Sequence, residues 1–309
     1  MGHVVVQPAL QDAFKRYKKL HAEAMRKRSG NVLVYQPGGQ LCNILRGTLA
    51  AFLFALLTDR VLIVHPGTWY RSFYDVFERP GFDIEFNAHA HSWVQRHGEN
   101  LDMDSHWERL LCSDLGHTFK HSTLTISGGA KYFNSFLYRN PHYQDVIQSW
   151  FTDGDIARPL TRLLFRPVPE VFKLKEQFIA NKFPRNVYRI GMHIRTEHPP
   201  TQAEWDAFKS CATAVTPASK RETAKWFVAT DREISRKEAT KQFSNVKTPL
   251  FIGEKFFNAG NNINAQREAV ADILVAAEGD KAAPRLHDPP HFLAPRLHDP
   301  PHFLAPRLH

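Results

Sequence analysis

Apolar residues fall in two series of short runs and helical stripes, separated by an aromatic-rich middle. In the first series Asn31–Tyr35 reads as a short apolar strand and Pro37-Gly38-Gly39 as a turn. From Leu41 to Leu57, apolar residues recur at helical spacing (Leu41, Leu45, Leu49, Phe52, Leu53, Leu56). Val61-Leu-Ile-Val64 follows as a buried strand, so strand, glycine turn, helix and strand begin a doubly wound sheet. The stretch from about 66 to 165 reads as irregular, with one helix across 141–151. The second series follows a helix at 170–182. It comprises a strand at Val187–Arg195, a strand at Lys225–Thr230, a charged helix at 232–243, a strand at Pro249–Ile252 and a helix at Ala265–Ala277 that ends at Gly279. Two α/β units with a helical hinge between them imply a cleft enzyme whose ligand sits at the carboxyl ends of the strands.

The pattern stops at the carboxyl end. Ala283–Leu293 repeats letter for letter at 294–304 and begins again at Ala305. An eleven-residue period suits a right-handed coiled coil, but the Pro-Pro of each unit forbids a continuous helix. Identical copies look like a tandem duplication. The expectation is a disordered end without function, and the repeated histidines are not read as a metal site.

Composition narrows the class. With 43% hydrophobic, 12% aromatic and 23% charged residues, the chain has ample apolar surface to bury, which excludes disorder throughout. The longest uninterrupted apolar run, Leu49–Leu57, is nine residues, whereas a membrane-spanning helix needs about 20. Cys42, Cys112 and Cys211, with no CxxC among them, make neither a disulfide framework nor a zinc site. The net charge of +9 suits an anionic partner. The basic residues are spread along the chain, with clusters only at Lys15–Lys19 and Arg26–Arg28. No nucleic-acid reading motif accompanies them, so nucleic acid is not the expected partner and a solvated basic face is the simpler reading.

Three segments carry candidate chemistry, each with two readings. Pro37-Gly-Gly-Gln-Leu-Cys-Asn43 opens a helix, where backbone N–H groups attract phosphate and glycine admits close approach. A tight strand–helix connection without a ligand explains it equally. In Gly191-Met-His-Ile-Arg195, residues 191, 193 and 195 share one side of an extended strand near its carboxyl end. Arginine there offers a planar cationic fork to phosphate and histidine a directional hydrogen bond; a water-facing polar strand is the alternative. In Phe227-Val-Ala-Thr-Asp231 a carboxylate follows a buried strand, placed either to hold a ribose hydroxyl or to cap the next helix. No HExxH, GxSxG or convincing carboxylate pair for a metal occurs.

Taken in order, these segments resemble plant-type fucosyltransferases of the xyloglucan and α-1,2 kind. Gly39–Val64 is similar to the family's "GLGNRL…FLYALLTDRVLLV" signature, and Leu10–His21 to the "L…YE.LH" helix that opens its catalytic domain. Tyr70–Glu78, Tyr132–Pro141 and Leu163–Pro167 resemble the family's middle, Gly191–Arg195 its "GIQIR/GVHVR" donor motif and Trp226–Asp231 its "FFVATD" strand. The resemblance runs from about 9 to 280. It implies an α/β, GT-B-like fold of two Rossmann-type domains facing a cleft. An N-terminal helical region would span 1–30, an amino-side acceptor domain 31–168, an incomplete GDP-fucose domain 169–280 and the disordered repeats 281–309. It also implies an inverting, metal-independent transfer of L-fucose from GDP-fucose to a galactose-containing cell-wall or glycoprotein glycan, with no cofactor.

Carried over residue by residue, Arg195 is the catalytic cation, holding the β-phosphate as GDP leaves. His193 contacts the nucleotide, Asp231 binds guanine or ribose, and Gly191 leaves room. Gly38, Gly39 and Asn43 line the cleft from the amino side, and Glu197, Glu204 and Asp206 are candidates for the base. The chain departs from the pattern at Cys42 and Ile44, which replace the second Gly and the Arg of the first motif. Thr196 stands where α-1,6 relatives carry a second Arg. After helix 265–277 the family has a final strand and a "S..STFGY" loop, whereas here Gly279-Asp280 runs into the repeats. The alternative is therefore an inactive remnant that binds nucleotide or glycan only. The family is Golgi-resident behind a membrane anchor. Met1–Val6 carries neither a myristoylation signal nor a secretory apolar stretch, so the expectation is either an upstream anchor in the gene or a cytosolic product.

Overall fold

The computed structural model describes residues 6–39, 41–65, 72–94, 98–101, 106–129, 133–182, 187–194, 200–230, 233–243, 250–252, 263–277 and 281–282. The chain divides between Val168 and Pro169 into two compact units.

The first unit is built on a parallel sheet. A long helix α1 (Pro8–Lys27) begins with proline in its first turn and ends at Arg28, whose φ of 52° is left-handed. Strand β1 (Val32–Gly38) leads into helix α2 (Leu41–Leu57) and strand β2 (Val61–Val64), as the apolar pattern requires. β1 runs through Pro37 and Gly38, the expected turn positions, and Gly39 follows it with a φ of 82°. The middle is more ordered than its sequence suggests. It holds β3 (Glu99–Leu101), α3 (Trp107–Cys112), α4 (Leu115–Thr118), β4 (Thr123–Gly129), α5 (Asn134–Arg139), α6 (Gln144–Trp150) and α7 (Ala157–Leu164). The sheet order is β2-β1-β4-β3, all parallel, with β1 and β4 central.

Burial explains why α2 sits where it does. Beyond the stripe seen in the sequence, Ala50, Ala51, Phe54 and Ala55 are also buried; a helix apolar all round belongs inside a core. β2 would otherwise be an open edge. α1 and the segment at 84–86 close it: the Tyr17 hydroxyl accepts a hydrogen bond from the Leu62 N–H at 2.8 Å, and the Val64 N–H donates to the Ile84 carbonyl. Tyr17, Phe14, His21, Phe52 and Phe82 form one aromatic cluster behind that edge.

The second unit repeats the design. Its elements are α8 (Pro169–Lys182), β5 (Arg189–Ile194), α9 (Gln202–Val215), β6 (Lys225–Thr230), α10 (Glu233–Gln242), β7 (Leu250–Ile252), α11 (Ile263–Ala277) and β8 (Lys281–Ala282). The order is β7-β6-β5-β8, again all parallel. Ile190, Met192, Ile194, Trp226 and Val228 pack against Trp205, Phe208 and Ala212 of α9 and against Ala239 and Phe243 on the α10 side. The opposite face sets Phe227 and Ala229 against Val275 of α11 and Phe178 and Ile179 of α8. Helices therefore cover both faces, as a buried parallel sheet demands.

Two expectations are corrected. The helix at 170–182 is not a free hinge: it packs on the second sheet, with Phe178 edge-on to Phe227 at 5.4 Å. The final edge strand is not missing either, since β8 pairs Lys281 with Ile190 and Ala282 with Gly191. Residues 283–309, the expected disordered repeats, lie outside the described residues.

Candidate active site

In the first unit the candidate residues gather where β1 ends. β1 and β4 are the two central strands of the sheet, and they run parallel and end side by side. Ligands of open α/β sheets bind outside the carboxyl ends of the strands. Gly39 takes a φ of 82°, in the region that favours glycine, and a Cβ built on it would lie 2.7 Å from Asn43 Nδ2. The Asn43 side chain thus folds over the turn, and any side chain on residue 39 would push it away. Sequence reasoning missed the partner of this turn. Pro37 pairs with Gly128 and Gly38 with Gly129, so glycines end both central strands side by side. The Ser-Gly-Gly at 127–129 was the available signal.

In the second unit β5 and β6 run parallel and in register. Gly191 pairs with Phe227, His193 with Ala229 and Ile194 with Thr230. Arg195 and Asp231 are the next residues after that last pair; both lie outside the described residues, as does Glu197. Gly191 is buried and flanked on its other side by Ala282 of β8. The other two base candidates, Glu204 and Asp206, are placed on α9. The Glu204 carboxylate accepts hydrogen bonds from the Thr201 N–H at 2.6 Å and the Thr201 hydroxyl at 2.9 Å, completing a capping box at the start of the helix. Asp206 is exposed, accepting from Gln202 Nε2 at 3.0 Å and facing Lys209 at 3.6 Å. Glu204 therefore has a structural use that sequence reasoning did not assign, although the Thr-x-x-Glu spacing signals it.

Several residues inside the recognised segments hold the fold. Arg60 is only 3% exposed; its guanidinium donates to the carbonyls of Phe119 and His121, with longer contacts to Ser122 and Val32. Burial lowers its pKa, the Glu99 charge opposing. His21 Nε2 meets the Asp83 carbonyl at 2.8 Å. Glu85, whose pKa burial raises, accepts from the Ser72 hydroxyl and the Phe73 N–H and pins that loop beside β2. Among the described residues, no cluster of His, Cys, Asp and Glu suits a metal ion. Among the same residues, no helix is long and apolar enough to cross a membrane.

No family model matches the chain. The chain is similar to plant fucosyltransferases. It is 26% identical over 199 residues to galactoside 2-alpha-L-fucosyltransferase of Pisum sativum, a match covering 53% of this chain and 35% of that one. It is 22% identical over 219 residues to fucosyltransferase 2 of Arabidopsis thaliana, covering 60% and 40%. The chain thus spans well under half the length of these curated relatives. Among solved structures, a mutant of Arabidopsis thaliana FUT1 in complex with GDP superposes with a TM-score of 0.68 at 17% identity, covering 89% of this chain and 73% of that one. NodZ alpha-1,6-fucosyltransferase co-crystallized with GDP gives 0.57 at 13% identity, covering 82% and 87%. The fold is the α/β, parallel-sheet fold of GT-B-like fucosyltransferases.

Proposed function

We propose that the chain transfers L-fucose from GDP-fucose to a galactose-containing cell-wall or glycoprotein glycan, with inversion and without a metal. The observation that carries this reading is the pair β5 and β6. Two parallel central strands run in register to Ile194 and Thr230, so the Gly191–Arg195 and Trp226–Asp231 motifs leave the sheet from neighbouring carboxyl ends. The similarity to plant fucosyltransferases supports it. So does the presence of GDP in the complexes of Arabidopsis FUT1 and NodZ.

In the proposed reaction an acceptor hydroxyl attacks the anomeric carbon of fucose from the face opposite the phosphate. The carbon–oxygen bond to GDP breaks, the hydroxyl proton passes to a base, and GDP leaves with the bonding pair. One direct displacement inverts the centre. Arg195 holds the β-phosphate and offsets its growing charge, His193 contacts the nucleotide, Asp231 binds guanine or ribose, and Gly191 leaves room for them. Gly38, Gly39 and Asn43 line the amino-side part of the site. Because the Glu204 carboxylate caps α9, Glu197 and Asp206 are the first base candidates to test. The reading places the enzyme among Golgi glycans, to be checked by finding an in-frame apolar stretch of about 20 residues upstream of Met1 in the gene.

A second reading, binding without turnover, is favoured by Cys42 and Ile44 standing where the family has Gly and Arg. GDP release from GDP-fucose across a panel of galactosylated acceptors separates the two. Turnover with any acceptor supports the transferase; GDP binding with no turnover supports the second reading. By calorimetry, Arg195→Ala should weaken GDP binding by about 1.5–3 kcal/mol. Arg195→Lys should recover part of that, lacking the planar fork. Unchanged GDP affinity in Arg195→Ala sinks the donor assignment.

A further inference from the structure

The first unit contains a second site-like feature, on the β2 flank of its sheet rather than at the ends of β1 and β4. A cavity of about 300 Å³ opens between α1, the loop at 78–81 and the end of α7. Its lining includes Lys18, Arg79, Arg162 and Arg166 against a single carboxylate, Glu78. That size falls at the lower end of ligand pockets.

The walls are built before any ligand arrives. Phe77 forms an antiparallel bridge with Pro167, the Glu78 N–H donates to the Arg166 carbonyl at 2.7 Å, and the Val168 N–H donates to the Val76 carbonyl at 3.1 Å. Phe77 and Phe165 pack at 5.2 Å beneath this ladder. Glu78 orients the Arg166 guanidinium at 3.2 Å, and Asp83 orients that of Arg79 at 2.9 Å. Gly81 has a φ of 90°, and a Cβ there would lie 2.9 Å from Lys18 Nζ. The Lys18 ammonium lies over Gly81 and 4.7 Å from the centre of the Phe14 ring.

We infer that this cavity binds a phosphate group. Planar guanidinium forks match the paired oxygens of a tetrahedral oxyanion, and a lysine ammonium supplies a point charge for a third. A tetrahedral oxyanion can reach more of these donors at once than a two-oxygen carboxylate can. The phosphate could be carried as the free ion, on a sugar phosphate or on a lipid headgroup; the shared chemistry is the phosphate group itself. The inference does not depend on the donor assignment, because no residue of the cavity belongs to the proposed GDP site.

The test uses the full chain and calorimetric titration with inorganic phosphate, then with glucose 6-phosphate, and co-sedimentation with phosphatidylcholine vesicles with and without a phosphoinositide. Saturable phosphate binding is expected, weakened at least about tenfold, or about 1.4 kcal/mol, in both Lys18→Glu and Arg162→Glu. Arg195→Ala should leave it intact, and the cavity variants should leave GDP affinity intact. Sugar phosphate binding without vesicle binding assigns a soluble ligand; vesicle binding lost in the variants assigns a headgroup. Melting temperatures check that the variants fold, and Arg162→Gln replaces any that does not. Absence of saturable binding at millimolar phosphate, binding unchanged in the cavity variants, or binding removed by Arg195→Ala overturns the inference.

Discussion

Tyr35 and Gly47 bring β1 and α2 so close that a Cβ on residue 47 would lie 1.9 Å from the Tyr35 hydroxyl oxygen and 2.7 Å from its Cζ. Residue 47 stands one helical turn beyond Asn43, on the same face of α2. One stripe of the helix therefore presents Asn43 to the Gly39 turn and Gly47 to the phenol of Tyr35. The packing that seats the helix also sets the amino-side candidate site.

Gly47→Ala should accordingly cost about 1–3 kcal/mol by overpacking, read as a lower urea midpoint. Combined with Tyr35→Phe, which removes the nearest atom, the loss should be smaller than the sum of the two single losses. Strict additivity would show that α2 and β1 absorb the methyl elsewhere.

The same logic applies at the outer edge of β2. Tyr17→Phe keeps the ring in its aromatic cluster but leaves the Leu62 N–H without its acceptor. The expected loss is about 1–3 kcal/mol. Hydrogen exchange at the Leu62 amide should accelerate more than at its neighbours in β2. Equal acceleration across β2 would point to general loosening instead.

Arg60 ties the start of β2 to the segment before β4. Arg60→Met fills similar volume yet orphans the carbonyls of Phe119 and His121. A destabilisation of about 2–5 kcal/mol is expected, with Arg60→Lys recovering part of it. A neutral Arg60→Met in denaturant unfolding would show that water satisfies those carbonyls.

Much of this frame was legible in the sequence because it is apolar and periodic. β2 and β6 have the bounds their apolar runs give, and α2 ends where its stripe ends. β4 escaped detection for a physical reason. As a central strand it spends Thr123, Thr125 and Ser127 on alternate positions and ends in two glycines, a composition that reads as loop. β3 is three residues long and carries its information in its pairing with β4, not in its own residues. α9 was legible in principle from the Thr201-x-x-Glu204 box. Of the site, the glycine turn and the ends of β5 and β6 could be read from sequence. Arg60, Tyr17 and Gly47 could not, because their roles depend on partners dozens of residues away or across an element.

Acid should weaken the first unit through two histidines. His21 and His91 are both buried, and burial lowers the pKa of each. The Asn87 N–H donates to His91 Nδ1 at 2.8 Å, a bond only the neutral ring accepts. In the unfolded chain both rings take protons near pH 6.5, while the folded chain resists until lower pH. Their contribution is therefore complete above about pH 6.5 and is lost as pH falls below it. Glu85, whose carboxyl is pushed up by burial, acts in the opposite sense further into the acid range. Unfolding free energies measured from pH 8 to about 5.5 should fall, and less steeply in His91→Gln. An unchanged slope in that variant would remove His91 from the account.

The last prediction concerns where the second unit ends. Each eleven-residue repeat unit carries three prolines and few large apolar residues, too little buried surface to offset the entropy of ordering it. Lys281 and Ala282 differ from the repeats, because they extend the sheet beside Ile190 and Gly191. Removing 283–309 should thus leave the melting temperature and GDP affinity nearly unchanged. Removing 281–309 takes β8 away and opens the edge of β5 next to the proposed donor motif. At about 1 kcal/mol per lost hydrogen bond, this second truncation should melt measurably earlier, and it should bind GDP more weakly because Gly191 loses its neighbour. If both truncations behave alike, β8 contributes nothing to the sheet. If the shorter deletion alone lowers stability, the repeats pack on the fold, against the composition argument.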